Sequence, residues 1–540
     1  MKISKFAKIL FLSILFATTS FSQFYIPGFD ADYISVNNVR MWVDNYGEGS
    51  HNPYTYGPGF YWPYPSDTVK TLIYSDGLFW MGKIDNAFYS SGNFRYIGVI
   101  PGTVDSDIPS QATKNKFRVY KIRPGWDKLP ASPRRDELEK DFKEWPADIG
   151  APYFDLNNDG KYNPEFDKPQ IYGDEMLWYV FHDGVPIMGG LFTANIEVQV
   201  TVYAFRRDNL LKDVIFKKYK IINKGISLID SMFFSYYSDP EVGDPSDDYV
   251  GCDSSLSLTY SYNSIASDWF YGSPPPAVGY ALLQGPIAES IGDSAFYNNR
   301  IIKNYKNLKQ TSFTFFTEVY LDGHYLWPFF TAHNYWNFVR GLDSTGIHYI
   351  DPHSNKPTKF PLNGDPYRQT GWYEGEGWEG TPPSWRNRRM LLNSGPFTMA
   401  PGDTQEVVYA IFAGQGLSNT ASVEELKKMV PRLQYFHKNY SPLVPEIKEE
   451  KKQLDFKMTQ NYPNPFNSQT AIHYQIPLES RVIIKVYDVL GNEVALLKNE
   501  LQKPGDYQTI FNAENLASGI YILNISAREF FSSRKMILLR

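Results

Sequence analysis

The sequence predicts a mainly β protein: a large β-sandwich central region with long loops, followed by a small immunoglobulin-like β-sandwich at the C-terminus. Three observations carry that expectation. Aromatic residues make up 16% of the chain, with 40 Tyr, 37 Phe and 12 Trp, and such side chains suit pleated, half-buried surfaces. They are accompanied by 39 Gly and 37 Pro, the residues that set tight turns between strands. Finally, Ile196, Val198, Val200, Val202 and Ala204 alternate with Glu197, Gln199, Thr201 and Tyr203, which reads as a half-buried strand with one polar face.

Taken in order, the first element is an address. Lys2, Lys5 and Lys8 precede the apolar run from Ile9 to Phe16 and the small residues Thr18, Thr19, Ser20 and Ser22. This is the layout of a signal peptide over 1–22, with cleavage between Ser22 and Gln23. The run is about half of the roughly 20 residues needed to span a bilayer, and no later segment approaches that length. The mature chain is therefore expected to carry no transmembrane segment. A formal net charge of -6 gives no footprint for nucleic acid or anionic membrane. Cys252 is the single cysteine, so no intrachain disulfide is available and a buried thiol is expected.

The central β-rich region, 23–445, is expected to form one large sandwich or two abutting ones. Val214 to Ile222 and Leu228 to Tyr237 read as strands with Asn223-Lys-Gly225 as the turn between them. Two short helices are legible. One starts at Ser132-Pro133 and continues through Leu138, Phe142 and Trp145; the other is opened by Ser422 and Glu425 as a capping box and ended or kinked by Pro431. Residues 446–455 (EIKEEKKQLD) are a charged linker without apolar periodicity.

In 456–540, Val482, Ile484 and Val486 alternate with Ile483, Lys485 and Tyr487, and Tyr521, Leu523 and Ile525 alternate with Ile522 and Asn524. Gly491-Asn492, Pro504-Gly505 and Ser518-Gly519 punctuate these runs, giving roughly seven short strands, the spacing of an immunoglobulin-like sandwich. The segments NYPNPFN (Asn461 to Asn467), KVYDVLGNEV (Lys485 to Val494), PGDY (Pro504 to Tyr507), LASGIYIL (Leu516 to Leu523) and KMILLR (Lys535 to Arg540) occur in order. Together they resemble the type A sorting domain of the type IX secretion system. The resemblance implies engagement of the type IX machinery, passage through the periplasm, and an extracellular or outer-cell-surface destination, anchored or released. The segments 147–164, 239–253 and 388–410 resemble a group of large secreted proteins carrying the same domain, a resemblance that implies no activity.

The sharpest local motif in the central region is Asp155, Asn157, Asp159, Lys161, Asn163, Glu165 and Asp167, with Gly160 in the middle. Oxygen ligands at every second residue around a glycine that permits the turn describe how a calcium loop folds back on a hard cation. Phe166 stands where an EF-hand places its bidentate Glu, leaving Glu165 or Asp167 to serve, and an Asx-rich turn with solvated carboxylates produces the same pattern. A second acidic loop holds Asp239, Glu241, Asp244, Asp247, Asp248 and Asp253. There a bridging cation or simple solvation equally relieves the repulsion. Calcium in either loop is expected to be structural, because a full oxygen cage leaves no open position.

Trp372, Tyr373, Trp378 and Trp385 sit among glycines with Glu374, Glu376 and Glu379 interleaved, a composition that serves either a glycan-stacking surface or a loop folded over its own core. No His-Glu-x-x-His, Gly-x-Ser-x-Gly or phosphate-cradling loop occurs, so no catalytic residues are assigned. These readings favour a calcium-stabilised binding or adhesion module for a glycan or cell-surface ligand. The alternative is a secreted carbohydrate-active enzyme built on a β-sandwich.

Overall fold

The computed structural model describes residues 28–66, 69–92, 98–105, 115–184, 193–206, 210–317, 319–321, 324–326, 331–377, 387–440, 442 and 456–540 except 529. The signal peptide with its cleavage site at Ser22 and Gln23, the linker 446–455, and Trp378 and Trp385 lie outside these residues. The chain divides into two compact units, Met1–Val444 and Pro445–Arg540.

The large unit is built on two antiparallel sheets. One has eight strands, ordered Ala31–Ile34, Arg40–Asp44, Phe60–Tyr61, Thr71–Ile84, Ile229–Pro240, Arg388–Met399 and Ser312–Thr317, with Ala87–Gly92 added against Thr71–Ile84. The other has nine, ordered Asp248–Asp253, Leu258–Asn263, Ala277–Gln284, Thr404–Gly414, Val214–Asn223, Ile196–Ala204, Glu175–His182 and Ile100–Pro101, with Tyr120–Ile122 also against Glu175–His182. Alternation then decides the packing. Trp80, Phe234, Tyr236 and Leu392 of the first sheet meet Tyr179, Val198, Tyr219, Tyr409 and Ile411 of the second in one apolar core, and the Tyr236 and Tyr409 rings lie 4.6 Å apart across it. The arrangement is a sandwich with its core between the sheets.

Helices cover both outer faces. Helix α1 (Pro133–Lys143) is capped by Ser132, whose hydroxyl accepts from the Arg135 amide, and buries Leu138. Helix α2 (Ala332–Val339) lays Trp336 and Val339 on Phe79, Met81 and Phe233 of the eight-stranded sheet. Helix α3 (Asn419–Asn439) places Val423, Leu426, Val430 and Leu433 over Phe412, Tyr260 and Ala281 of the nine-stranded sheet.

Four expectations require correction. The polar face of Ile196–Ala204 is not solvated: Glu197, Gln199, Thr201 and Tyr203 are all buried, because the strand is central and its outer face is roofed. The segments around Val214 and Leu228 do not pair; they belong to opposite sheets, so Asn223 to Gly225 begins a crossover rather than a hairpin. Ser418, not Ser422, caps α3, accepting from the Ala421 amide at 3.0 Å. The helix then runs 21 residues through Pro431, held to the sheet by its buried apolar stripe.

The small unit packs a three-stranded sheet (Lys457–Met458, Gln469–Ile476, Gly505–Asn512) with a four-stranded one (Glu493–Gln502, Ser480–Tyr487, Gly519–Ala527, Phe530–Leu538). Its own core includes Ile472, Ile476, Val482, Ile484, Val486, Leu523 and Ile525, the inward set that period-two alternation selects. The Asn461-to-Asn467 motif works as a staple. Asn464 accepts from the Ile537 amide at 2.8 Å and donates to the Lys535 carbonyl. Phe466 is buried and its backbone bonds Ile537 and Leu539. The first motif of this unit thus ties directly to the last.

Candidate functional site

The acidic loop 155–167 is closed at its base by an antiparallel ribbon in which Tyr153 pairs with Pro169 and Phe154 with Lys168. Closing the ends forces the chain between them back on itself, and Gly160 takes φ +75° at the turn, a conformation that costs glycine little. Carboxylate oxygens of Asp155, Asp159 and Asp167 lie within 4.8 Å of one another, so a single cation has room to touch all three. Asp167 is fully buried and accepts from the amides of Leu156 at 2.9 Å and Asn163 at 2.7 Å. Asp155 accepts from the amides of Asp159 and Gly160, and Asn157 donates to Asp159 at 2.9 Å. Of the two residues left to replace the EF-hand Glu, Asp167 reaches the group; Glu165 is exposed, as is Lys161, while Asn163 caps the Glu165 amide. Burial first, and then the three carboxylates, raise the Tyr153 hydroxyl pKa above its ordinary value.

The second acidic loop is divided among separate partners. Asp239 is buried against Arg389 at 3.1 Å, and Asp253 lies 3.4 Å from Lys427. Asp244 accepts from the Ser246 amide and hydroxyl. Asp247 accepts from Asn263 and burial pushes its carboxyl up to about 6. Asp248 is fully buried, accepts from the Val242 amide, and is raised well above the usual carboxylate range by burial first and by Asp247 and Glu241 after it. Glu241 is half-buried, its amide bonded to the Leu72 carbonyl.

The aromatic loop folds inward. Trp372 is 7% exposed and belongs to the inter-sheet core, so its face is not offered to a ligand. Tyr373 is half-buried. Glu374 is buried with Arg388 at 2.7 Å and accepts from the Val250 amide at 2.8 Å, which pins the loop to the nine-stranded sheet. At Trp372 the ring packs into the core, as the second of the two arrangements its composition permits would have it, while Trp378 and Trp385 lie outside the described residues.

A cleft that the motifs did not indicate lies on the roofed outer face of the nine-stranded sheet. Register builds its floor: Trp178, Thr201 and Lys218 are aligned across three strands, as are Gln199, Lys220 and Glu406, and residues aligned and separated by two share a face. The cavity measures about 130 Å³. Tyr172, Tyr297 and Asn298 also line it, and so do Gly150, Pro152 and Gln170. The latter group continues directly from the ribbon that closes the acidic loop, with the Gln170 amide on the Pro152 carbonyl at 2.9 Å. Gly150, at φ +106°, approaches so closely that an added Cβ would stand 2.2 Å from Gln199 Nε2.

Inside the cleft, Lys218 Nζ is 2.7 Å from Glu406 and 3.4 Å from the Tyr172 hydroxyl. Gln284 donates to Glu406 at 3.0 Å, and His437 of α3 meets Gln284 Oε1 at 3.0 Å. Lys220 is exposed and, among the described residues, has no carboxylate within 4.0 Å; burial and then Lys218 lower its pKa, with Glu197 and Glu406 opposing the shift. Alternation of Lys218 and Lys220 with apolar neighbours was the one signal available in the sequence for this site.

Residues 460–539 match the family model of the secretion system C-terminal sorting domain. The small unit is therefore the type IX sorting domain that its motifs resemble, which implies interaction with that machinery and export to the cell surface or extracellular space. No helix among the described residues is long and apolar enough to cross a membrane. No curated protein matches the chain. A solved structure described as a polysaccharide lyase is similar over 69% of this chain at 7% identity, with a TM-score of 0.18. This chain spans 37% of that protein's length, and at such a score the likeness carries no argument.

Proposed function

We propose that the large unit is a calcium-stabilised binding module for a glycan or other surface ligand, delivered outside the cell by the sorting domain after an N-terminal signal peptide directs the chain to the periplasm. The observation that supports the calcium role is the convergence of Asp155, Asp159 and Asp167 within a ribbon-closed loop. Three carboxylates held together repel one another, and a hard cation with oxygen ligands relieves that repulsion while ordering the chain around it. The proposal does not extend to the second acidic loop, where Arg389, Lys427 and backbone amides engage the carboxylates separately.

Calcium titrated into the chelator-treated full chain tests the metal role. A site with Kd of about 10 μM at 1 mM free calcium adds roughly 2.7 kcal/mol of stability. Asp155→Ala with Asp159→Ala is expected to abolish both the heat of binding and the rise in Tm. A wild-type Tm that ignores calcium rejects this reading.

A further inference from the structure

The cleft on the nine-stranded sheet joins three features that are rarely combined by core packing alone. It is polar at the centre of a large sheet, where alternation ordinarily supplies apolar residues. It holds two ammonium groups two residues apart, of which only Lys218 is in contact with a carboxylate, Glu406 at 2.7 Å. Its lining brings the half-buried Tyr297 ring beside groups left with hydrogen-bonding capacity: among the described residues, the Thr201 hydroxyl and the Gln170 side chain make no hydrogen bond.

Size narrows the ligand. At roughly 10–15 Å³ of such space per water, 130 Å³ corresponds to about ten water positions, the scale of a single substituted sugar ring. Charge narrows it further. Lys218, Lys220 and Lys224 act together with Glu406 and Glu197 around the cleft, leaving a net excess of one positive charge, and a partly desolvated ammonium with no carboxylate in contact gains most from an anion. A pyranose presents hydroxyls around its rim and C–H groups on its faces, matching Thr201, Gln170 and Asn298 on the one hand and the half-buried Tyr297 ring on the other.

We propose that this cleft binds one pyranose unit bearing a single acidic group, a carboxylate or a sulfate ester, with Lys220 receiving the anion. The inference rests on reading the large unit as a binding module, and it is independent of calcium. Lys218, already paired, orients Glu406 and contributes field rather than direct contact.

Calorimetric titration of the full chain with glucuronate, glucose 6-sulfate, glucose and inorganic sulfate provides the test. At least one acidic sugar is expected to bind ten times more tightly than glucose and than inorganic sulfate. Lys220→Gln should weaken that binding at least tenfold, while Lys220→Arg retains it within about threefold. Lys220 is exposed, so an unchanged Tm will show that K220Q folds; Asn298→Ala, also exposed, supplies a second variant with an expected loss of severalfold. Equal affinity for glucose, equal affinity for inorganic sulfate, indifference to K220Q, or no binding of any sugar would each overturn the proposal. Repeating the titration on Asp155→Ala with Asp159→Ala separates the two readings. Sugar binding that survives there upholds the cleft whatever calcium does, and a calcium-dependent Tm without sugar binding upholds the loop while rejecting the cleft.

Discussion

His437 sits at the head of a chain of contacts that runs through Gln284 and Glu406 to Lys218. Burial lowers its pKa to about 4, with Glu406 opposing and Lys218 reinforcing the shift. The folded protein therefore holds a neutral imidazole where the unfolded chain, with a pKa near 6.5, takes up a proton. Stability from this residue is complete above about pH 6.5 and falls as pH drops toward 4, because only the unfolded state gains protons there. The ring is half-buried, so the loss is at most about 3 kcal/mol. His437→Gln keeps a donor for Gln284 and should flatten this limb: the urea midpoint of the wild type should fall further between pH 7.5 and 4.5 than that of the variant, and parallel curves would refute the assignment. Residues of this kind divide sharply in how readable they are. Asp155, Asp159 and Asp167 could be grouped from the sequence because one short loop supplies them all. Lys218, Glu406 and Trp178 were not, since strand register alone makes them neighbours and a linear pattern carries no register between distant strands.

Helix α3 shows where local signals compete. Ser418 and Ser422 both stand near its start, and the Ser422–Glu425 spacing fits a capping box, yet the chain enters the helix four residues earlier. Ser422 is instead buried, accepting from the Gly416 amide at 3.0 Å and donating to the Pro275 carbonyl at 2.8 Å. Ser418→Ala should cost about 1 kcal/mol in chemical denaturation, and Glu425→Ala should leave the midpoint unchanged; the reverse pattern would restore the later start. Pro431 was expected to end or kink the helix because it removes an amide and crowds the preceding turn. Burial of Val423, Leu426, Val430 and Leu433 against the sheet outweighs that penalty, a tertiary term invisible to local propensity. Period-two alternation was dependable for which residues face inward and silent about what covers the other face, which explains why Glu197, Gln199 and Thr201 were expected in solvent.

At the scale of the molecule, the two units have separate apolar cores, one between the large sheets and one within the small sandwich. Each core is complete in itself, so residues 456–540 are expected to fold alone, giving a dispersed amide spectrum, and the full chain should melt in two calorimetric transitions. A single transition that disappears on removing 456–540 would show that the units fold as one. The terminal domain was legible nearly whole, since its strands are consecutive and its motifs contiguous. The large unit was legible as β but not in its topology, because Val214–Asn223 and Ile229–Pro240, adjacent in sequence, are dealt to opposite sheets. Cys252 lies fully buried in that core, bonded through sulfur to the Pro361 carbonyl, and burial raises its thiol pKa well above the ordinary value. The chain is thus chemically silent toward maleimides while folded. A cysteine introduced at exposed Asn298 would be the sole labelling handle, so a fluorophore at the rim of the cleft needs no cysteine-free background, and Cys252 itself becomes a built-in reporter whose reactivity appears only when the sandwich opens.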